Sequence, residues 1–262
     1  MNRFRLAELL KTSQPVDKVT FIQDLCRDKV VLDLGCIRHN ALVALADPNW
    51  FHGKIRDVAE KVIGIDYLES EVRKLREHGY DVRCCDVTQP FELECAFDVI
   101  VAADLIEHLA NFEAFFRNCS RLLKDDGFLV ITTANPFYID EFRYVALKGG
   151  YLMNPEHTCW IDPYAMSLLS ARHRFAVTDA RFIKGGWRFH DVALEGKGHE
   201  YDILNDRWVD ETRMQKILRH SVARLLQPIL AISLMRRELT RYADYIMLLK
   251  KDLKKANKRE EG

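Results

Sequence analysis

Short apolar runs alternate with amphipathic stretches along the first half of the chain. Five runs predict buried β-strands: KVVLDLG (29–35), KVIGIDY (61–67), YDVRCCDV (80–87), the start of FDVIVAADLIEHL (97–109) and FLVITTAN (128–135). Between them, stretches such as 50–60 and 111–127 place apolar residues on one helical face. Strands that alternate with helices form βαβ units. The pattern therefore predicts a Rossmann-like α/β fold, with a mostly parallel sheet and helices on both faces.

The second half of the chain is less regular. The stretch 136–162 is long, aromatic and irregular, and we expect it to form a lid or a substrate wall. The remaining predicted elements are a helix at 163–173, strands at 174–184 and 243–251, a helical insert at about 209–240 and a charged tail at 252–262. The sheet would then have seven strands. We predict a single domain over residues 1–251.

The stretch VLDLGCIRHN (31–40) predicts a cofactor loop after the first strand. Gly35 provides the tight turn, but Ile37 and His39 stand where a dinucleotide-binding loop has its further glycines. A dinucleotide needs those glycines for its pyrophosphate. S-adenosylmethionine has no phosphate and tolerates their loss. The sequence therefore favours S-adenosylmethionine, with residues 38–49 as an extended connection to the next helix.

Five motifs follow one another in a fixed order: VLDLGC, VIGID, CCDV, FDVIVAADLIEHL and LLKDDGFLVITTAN. Together they resemble the class I S-adenosylmethionine-dependent methyltransferases. The chain is similar in particular to small-molecule O-methyltransferases related to ubiquinone biosynthesis, and to bacterial methyltransferases of glycan biosynthesis. The resemblance covers about residues 25–185 and the last strand. It implies methyl transfer to a hydroxyl group of a small-molecule or glycan acceptor.

Three acidic residues, Asp33, Asp66 and Asp86, stand at the ends of three successive predicted strands, at the edge where open sheets bind ligands. Asp66 ends the second strand, where its carboxylate can accept both ribose hydroxyls, and Tyr67 follows it. The resemblance implies that Asp86 or the amide of Val87 meets the adenine edge. The remaining cofactor-binding residues predicted are Asp33 as a brace of the loop, Gly35 and Cys36 against the methionine part, and Asp104.

An acid–histidine cluster is expected beside the methyl group. Asp104, Glu107 and His108 stand at i, i+3 and i+4, so on a helical turn they would share one face. His157 comes from the lid stretch. We predict His108 and His157 as the catalytic residues, with one of them acting as general base.

A metal-assisted version of the same cluster stays open. Two carboxylates and two imidazoles can hold a divalent cation that lowers the pKa of a hydroxyl. The pattern resembles that of small-RNA 2′-O-methyltransferases, although here the first acid, Asp104, is an aspartate. The metal-free base is the version we favour.

Charge and composition narrow the set of partners. Lys and Arg number 39, Asp and Glu also number 39, and the zero net charge makes RNA the less favoured acceptor. The basic amphipathic insert at 209–240 is interpreted as a helical pair packed at the domain edge, or as a contact with a membrane or a lipid-linked acceptor.

Two further features complete the functional expectations. Seven cysteines without a C-x-x-C pair, and no apolar stretch of transmembrane length, predict a cytoplasmic protein with reduced thiols. The lid aromatics that would clasp an acceptor ring are Phe137, Tyr138, Phe142, Tyr144, Tyr151 and Trp160.

The alternative to an enzyme is a non-catalytic module that binds S-adenosylmethionine without transferring its methyl group.

Overall fold

The computed structural model describes residues 3–37, 39–148, 154, 156–185, 199–202, 207–210 and 240–253. The α-helices are α1 (Arg3–Thr12), α2 (Lys18–Cys26), α3 (Ala41–Ala46), α4 (Phe51–Arg56), α5 (Glu69–Glu77), α6 (Phe112–Leu122), α7 (Ile139–Lys148) and α8 (Pro163–Arg172). The strands are β1 (Val30–Leu34), β2 (Lys61–Asp66), β3 (Val82–Cys84), β4 (Phe97–Ala103), β5 (Leu123–Ala134), β6 (Phe175–Phe182), β7 (His199–Asp202), β8 (Arg207–Asp210) and β9 (Asp244–Lys251). A 3₁₀ turn covers Ile106–His108.

Seven strands form one sheet in the order β3-β2-β1-β4-β5-β9-β6. The first five strands along this order are parallel, whereas β9 pairs antiparallel with both β5 and β6. The predicted Rossmann-like fold with a mostly parallel, seven-stranded sheet is confirmed. From β1 the chain adds β2 and β3 on one side of the sheet, and then crosses over to add β4 and β5 on the other side. The crevice between β1 and β4 is the switch point at which open α/β sheets bind ligands.

Successive side chains of β1 point to opposite faces of the sheet and are buried on both. Leu32 and Leu34 belong to a large cluster with residues of α6, whereas Val31 packs with Ile22 of α2 and Ile55 of α4. Burial on both faces explains why β1 reads as a continuous apolar run, because parallel strands are covered on both sides. It also makes Asp33 conspicuous as a carboxylate that is only 2% exposed.

Two local expectations were wrong. Residues 38–49 are not an extended connection, since Ala41–Ala46 form α3. The Asn40 side chain caps this helix by accepting a hydrogen bond from the Val43 amide at 3.1 Å, a preference typical of Asn. The lid stretch is not irregular throughout either, because α7 occupies ten of its residues.

Several predicted features lie outside the described residues. The helical insert at 209–240 is described only at its two ends, and Tyr151 of the lid and most of the charged tail are outside as well. β7 and β8 pair as an antiparallel hairpin that the sequence did not indicate. In the part of the chain that the structure covers, no helix has both the length and the apolarity needed to cross a membrane. All seven cysteines are free.

Candidate active site

The loop after β1 begins with a tight turn at Gly35. Its φ is +72°, in the left-handed region that glycine adopts without strain. A Cβ built on Gly35 would lie 3.1 Å from Cδ1 of Leu105, which follows β4. The turn therefore brings the backbone of the loop close to the end of β4, as a cofactor site requires.

Replacing Gly35 with alanine is expected to cost more than about 1 kcal/mol of stability and to weaken cofactor binding, because both φ and Leu105 oppose a Cβ. Gly79 provides a matched control, with a φ of +79° and no heavy atom within 4 Å of an added Cβ. Gly79→Ala should lower the unfolding free energy without changing the affinity for S-adenosylhomocysteine. Urea denaturation and calorimetric titration of both variants test this, and equal affinities in the two would contradict the assignment of Gly35.

Asp66 lies at the carboxyl end of β2, where the sequence placed it, and is only 4% exposed. Its Oδ2 accepts a hydrogen bond from the amide of Ile37 at 2.9 Å, and its Oδ1 accepts one from the amide of Leu68 at 3.1 Å. Burial raises the pKa of this carboxyl group. Each oxygen keeps a further lone pair. These lone pairs can accept two ribose hydroxyls in addition to the two amides.

Asp33 and Cys36 do not face the site with their side chains. Asp33 lies 2.9 Å through Oδ2 from Nδ1 of His52, and this contact fits its predicted role as a brace. The Cys36 thiol is directed towards Gly64 of β2, where its sulfur would lie 2.7 Å from an added Cβ. Only the backbone of Cys36 is left for the methionine part, which corrects the expectation that the residue as a whole lines the turn.

The residues predicted for the ribose and the adenine lie at neighbouring strand ends. Tyr67 is 73% exposed directly after β2. Asp86 is exposed, and its Oδ1 accepts hydrogen bonds from the amide and the hydroxyl of Thr88, at 2.8 Å and 2.7 Å. Val87 is buried, and its carbonyl accepts from Nδ2 of Asn118 at 2.9 Å. The structure thus brings these residues to one edge, next to Asp66.

Asp104 has a different position from the one expected. It follows β4 with a φ of +50° and precedes the 3₁₀ turn, so it shares no helical face with Glu107 and His108. Its carboxylate accepts a hydrogen bond from Thr132 at 2.6 Å and forms an ion pair with Lys18 of α2. The prediction of one helical face was therefore wrong. The side chain is half-exposed at the same sheet edge.

Glu107, His108 and His157 come together as predicted. One ligand-capable atom from each lies within 4.8 Å of the others, and Asp104 is not part of this group. The imidazole rings of His108 and His157 meet edge to face at 4.8 Å between centroids. Oε1 of Glu107 lies 4.0 Å from Nε2 of His157. The lid and the end of β4 therefore build one polar cluster.

Backbone hydrogen bonds fix this cluster. The amides of Thr158 and Cys159 both donate to the carbonyl of Glu107, at 2.9 Å and 3.3 Å. Nδ1 of His108 lies 3.1 Å from the carbonyl of Glu156 and donates to it. The lid segment that carries His157 is thereby fastened to the 3₁₀ turn.

Burial controls the electrostatics of the cluster. It raises the pKa of Glu107 to about 7, and the negative charge of Asp104 adds to the shift. Burial and the neighbouring His108 lower the pKa of His157, so its imidazole stays neutral at physiological pH. Oε2 of Glu107 and Nδ1 of His157 are buried, and neither has a hydrogen-bond partner within the described ranges.

The sequence that forms most of this edge matches a known protein family. The family model described as a methyltransferase domain matches residues 3–180. The chain belongs to the methyltransferase domain family. Its sheet, its cofactor loop and its motifs are those of a class I S-adenosylmethionine-dependent methyltransferase, and S-adenosylmethionine is its cofactor.

Relatives of this methyltransferase act on different atoms. The ubiquinone biosynthesis O-methyltransferase of Rhodopseudomonas palustris is 26% identical over 186 residues, which cover 68% of this chain and 64% of that protein. The (S)-coclaurine N-methyltransferase of Papaver somniferum is 36% identical over 102 residues, which cover 38% of this chain and 28% of that protein. The chain therefore spans less than two thirds of the length of these relatives.

A solved structure shows the same fold. The crystal structure of a SAM-dependent methyltransferase from Archaeoglobus fulgidus superposes with a TM-score of 0.51 at 17% identity, covering 96% of this chain and 100% of that one. In this methyltransferase, the residues at the sheet edge fit the cofactor. Gly35 leaves space that a Cβ would fill, and Asp66 places at the end of β2 a carboxylate that can accept ribose hydroxyls.

The sequence did not indicate two charged residues of this methyltransferase that lie at the same edge. Lys18 pairs with Asp104 across 86 positions of the chain, and Asp244 starts β9 close to both. Burial, together with Asp104, raises the pKa of Asp244 to about 6. Neither residue belongs to a recognisable sequence motif, because Lys18 has the surroundings of an ordinary helix and Asp244 those of the start of a strand. Only the sheet order brings them to the site.

Proposed function

We propose that this methyltransferase transfers a methyl group from S-adenosylmethionine to a hydroxyl group of a small-molecule or glycan acceptor. One observation carries the proposal. Two buried polar atoms, Oε2 of Glu107 and Nδ1 of His157, lack partners among the described residues beside the sheet edge that binds the cofactor. Unpaired buried polar atoms are costly, and a substrate group that pairs with them in the complex supports their retention beside this edge.

The chemistry requires a base. S-adenosylmethionine supplies an electrophilic methyl group on a sulfonium, and the acceptor oxygen must lie in line with it. An aliphatic hydroxyl is a weak acid, so a neighbouring side chain has to take its proton. His157 fits this role because its lowered pKa keeps the imidazole neutral and ready to accept.

The neighbours of His157 support its protonated form after the transfer. Glu107 offers a carboxylate 4.0 Å away, and Asp104 contributes a second negative charge. His108 packs edge-on against the same ring and keeps its orientation. In this mechanism His157 is the general base, and His108 lies beside the acceptor as the second catalytic residue.

The metal-assisted mechanism uses the same side chains. Glu107, His108 and His157 are close enough for one atom of each to bind a divalent cation, which would acidify the hydroxyl. Asp104 would not take part in this set, because its carboxylate is engaged by Thr132 and Lys18. The lowered pKa of His157 keeps its imidazole neutral in both mechanisms, and the metal-free base is preferred because it needs no ligand beyond the acceptor.

The lid supports an acceptor that carries a ring. Phe137, Phe142 and Trp160 are 54%, 58% and 45% exposed, and exposed aromatic rings of this kind stack on sugars and phenols.

The alternative functions are less favoured. RNA is the less favoured acceptor, and a protein that only binds the cofactor would not need the buried cluster of Glu107 and His157. Contact of residues 209–240 with a membrane or lipid-linked acceptor stays a prediction.

Transfer of labelled methyl groups tests the proposal. S-adenosylmethionine with a ¹³C-labelled methyl group is incubated with matched acceptors that differ only in a hydroxyl or an amino group, together with RNA oligonucleotides. We expect methyl ethers of phenolic or sugar-like acceptors as products, and the product NMR spectrum shows which atom carries the methyl group. Transfer confined to amines or to RNA would contradict the proposal.

A further inference from the structure

The cofactor loop lacks its later glycines, yet Trp50 fixes its course. Nε1 of Trp50 donates a hydrogen bond to the carbonyl of Cys36 at 2.9 Å, directly after the turn at Gly35. The indole is 3% exposed, so this hydrogen bond is shielded from water. Its loss would leave a buried carbonyl without a partner, which is costlier than the loss of an exposed hydrogen bond.

His52 holds the other side of the same loop. It is fully buried, and its Nδ1 lies 2.9 Å from Oδ2 of Asp33, two residues before Gly35. Because a carboxylate only accepts, Nδ1 is the donor. Nε2 is buried without a hydrogen-bond partner in the portion of the chain described. An apolar side chain would avoid this cost, so packing alone does not explain a histidine at this position.

A glycine on the neighbouring strand makes room for this arrangement. A Cβ built on Gly64 of β2 would lie 2.7 Å from Sγ of Cys36 and 2.9 Å from Cε1 of His52. The missing side chain of Gly64 thus leaves the space into which the Cys36 thiol and the His52 ring pack below the loop. The loop can therefore carry Ile37 and His39 and still pack tightly at its base.

Aromatic packing makes the support rigid. The Trp50 ring lies 5.2 Å from the His52 ring and 5.0 Å from the Tyr80 ring, measured between centroids. The guanidinium of Arg56 lies 4.3 Å above the Tyr80 ring. Trp50 and His52 thus have fixed orientations before any ligand binds, and such preorganisation lowers the cost of binding.

From this geometry we propose that Trp50 and His52 are positioning residues, which hold the Gly35–Cys36 turn in the shape that binds S-adenosylmethionine. The two residues flank the turn, with His52 bonded to Asp33 before it and Trp50 bonded to Cys36 after it.

Titration with S-adenosylhomocysteine tests the role of Trp50 without any acceptor. Trp50→Phe keeps an aromatic ring but removes the donor to Cys36, and its Kd should rise about tenfold. Tyr80→Phe is the matched control, since it keeps the ring that packs on Trp50 and removes only a hydroxyl that donates no hydrogen bond to the loop among the described residues. Its Kd should stay within about twofold of the wild-type value.

Two His52 variants separate positioning from a purely structural role. Asn can donate to Asp33 from nearly the same place as Nδ1, whereas Leu cannot. His52→Leu should therefore weaken binding of S-adenosylhomocysteine about tenfold, and His52→Asn should restore most of the affinity. Circular dichroism and urea denaturation of each variant give the folded fraction, so that each Kd refers to folded protein.

The proposal is overturned if Trp50→Phe and His52→Leu lower the melting temperature but leave the Kd for S-adenosylhomocysteine unchanged. In that case the two residues only stabilise the core. If His52→Leu does not fold, Trp50→Phe alone decides, because it keeps the ring packing and changes one hydrogen bond.

Discussion

Replacing His157 with alanine is expected to lower kcat about 100-fold or more, which is the usual contribution of a general base. The imidazole lies 4.0 Å from Glu107, and burial together with the neighbouring His108 lowers its pKa, so the ring is neutral and able to take a proton. The affinity for S-adenosylhomocysteine should change little, since His157 belongs to the lid and not to the cofactor loop. Initial rates with the acceptor found by methyl transfer, together with calorimetric titration, measure the two quantities.

Three comparisons make this test specific. His78→Ala removes an exposed histidine at the end of α5 and should leave the rate unchanged. Chelation should also leave the rate unchanged if the base is metal-free, whereas loss of activity on chelation and its return with Mg²⁺ or Mn²⁺ would indicate the metal-assisted mechanism. If His108→Ala and His157→Ala both keep full activity while the cofactor still binds, the assignment of the catalytic site is wrong.

Replacing Glu107 with glutamine is expected to remove a large pH dependence of stability. Folding raises the pKa of Glu107 from 4.5 to about 7, so the folded protein binds more protons than the unfolded chain between these values. Stability must therefore fall as the pH rises through this window, and the loss is complete above the folded pKa. A shift of this size corresponds to about 3 kcal/mol. Glutamine has the same shape without the charge.

Urea denaturation at pH 5 and pH 8 measures this difference. The difference in unfolding free energy between Glu107→Gln and the wild type should shift in favour of the variant from pH 5 to pH 8. Asp244, with a pKa raised to about 6, acts in the same direction in both proteins and cancels in the comparison. His157 has a lowered pKa and acts in the opposite direction. The exposed Glu77 provides a control, and a Glu77→Gln variant that shows the same pH dependence as Glu107→Gln would refute the explanation.

The strands and the sheet edge were predictable because burial on both faces leaves a clear pattern. The runs ending at Gly35, Asp66 and Ala103 are apolar over most of their length, and an aspartate lies in or directly after the end of each one: Asp33, Asp66 and Asp104. Parallel strands bring their carboxyl ends together. The proximity of His157 to Glu107 was also predictable, because a lid that follows β5 passes the end of the neighbouring strand β4.

Other features were hidden because they depend on local capping or on distant contacts. The helix α3 has only six residues, too few for a helical period to show, and Asn40 was its one signal. The left-handed conformation of Asp104 depends on Thr132 and Lys18, which no local pattern connects to it. Likewise, the role of Gly64 becomes visible only when His52 and Cys36 are placed above it.

Calorimetric titration with S-adenosylhomocysteine and with NAD tests the central claim most directly, namely that the edge formed by Gly35 and Asp66 binds S-adenosylmethionine. We predict one S-adenosylhomocysteine per chain, no heat of binding with NAD, and at least about tenfold weaker binding by Asp66→Ala, which loses the carboxylate for the ribose. Binding of NAD without any response to S-adenosylhomocysteine would contradict the claim, and so would a variant at Asp66 that binds as tightly as the wild type.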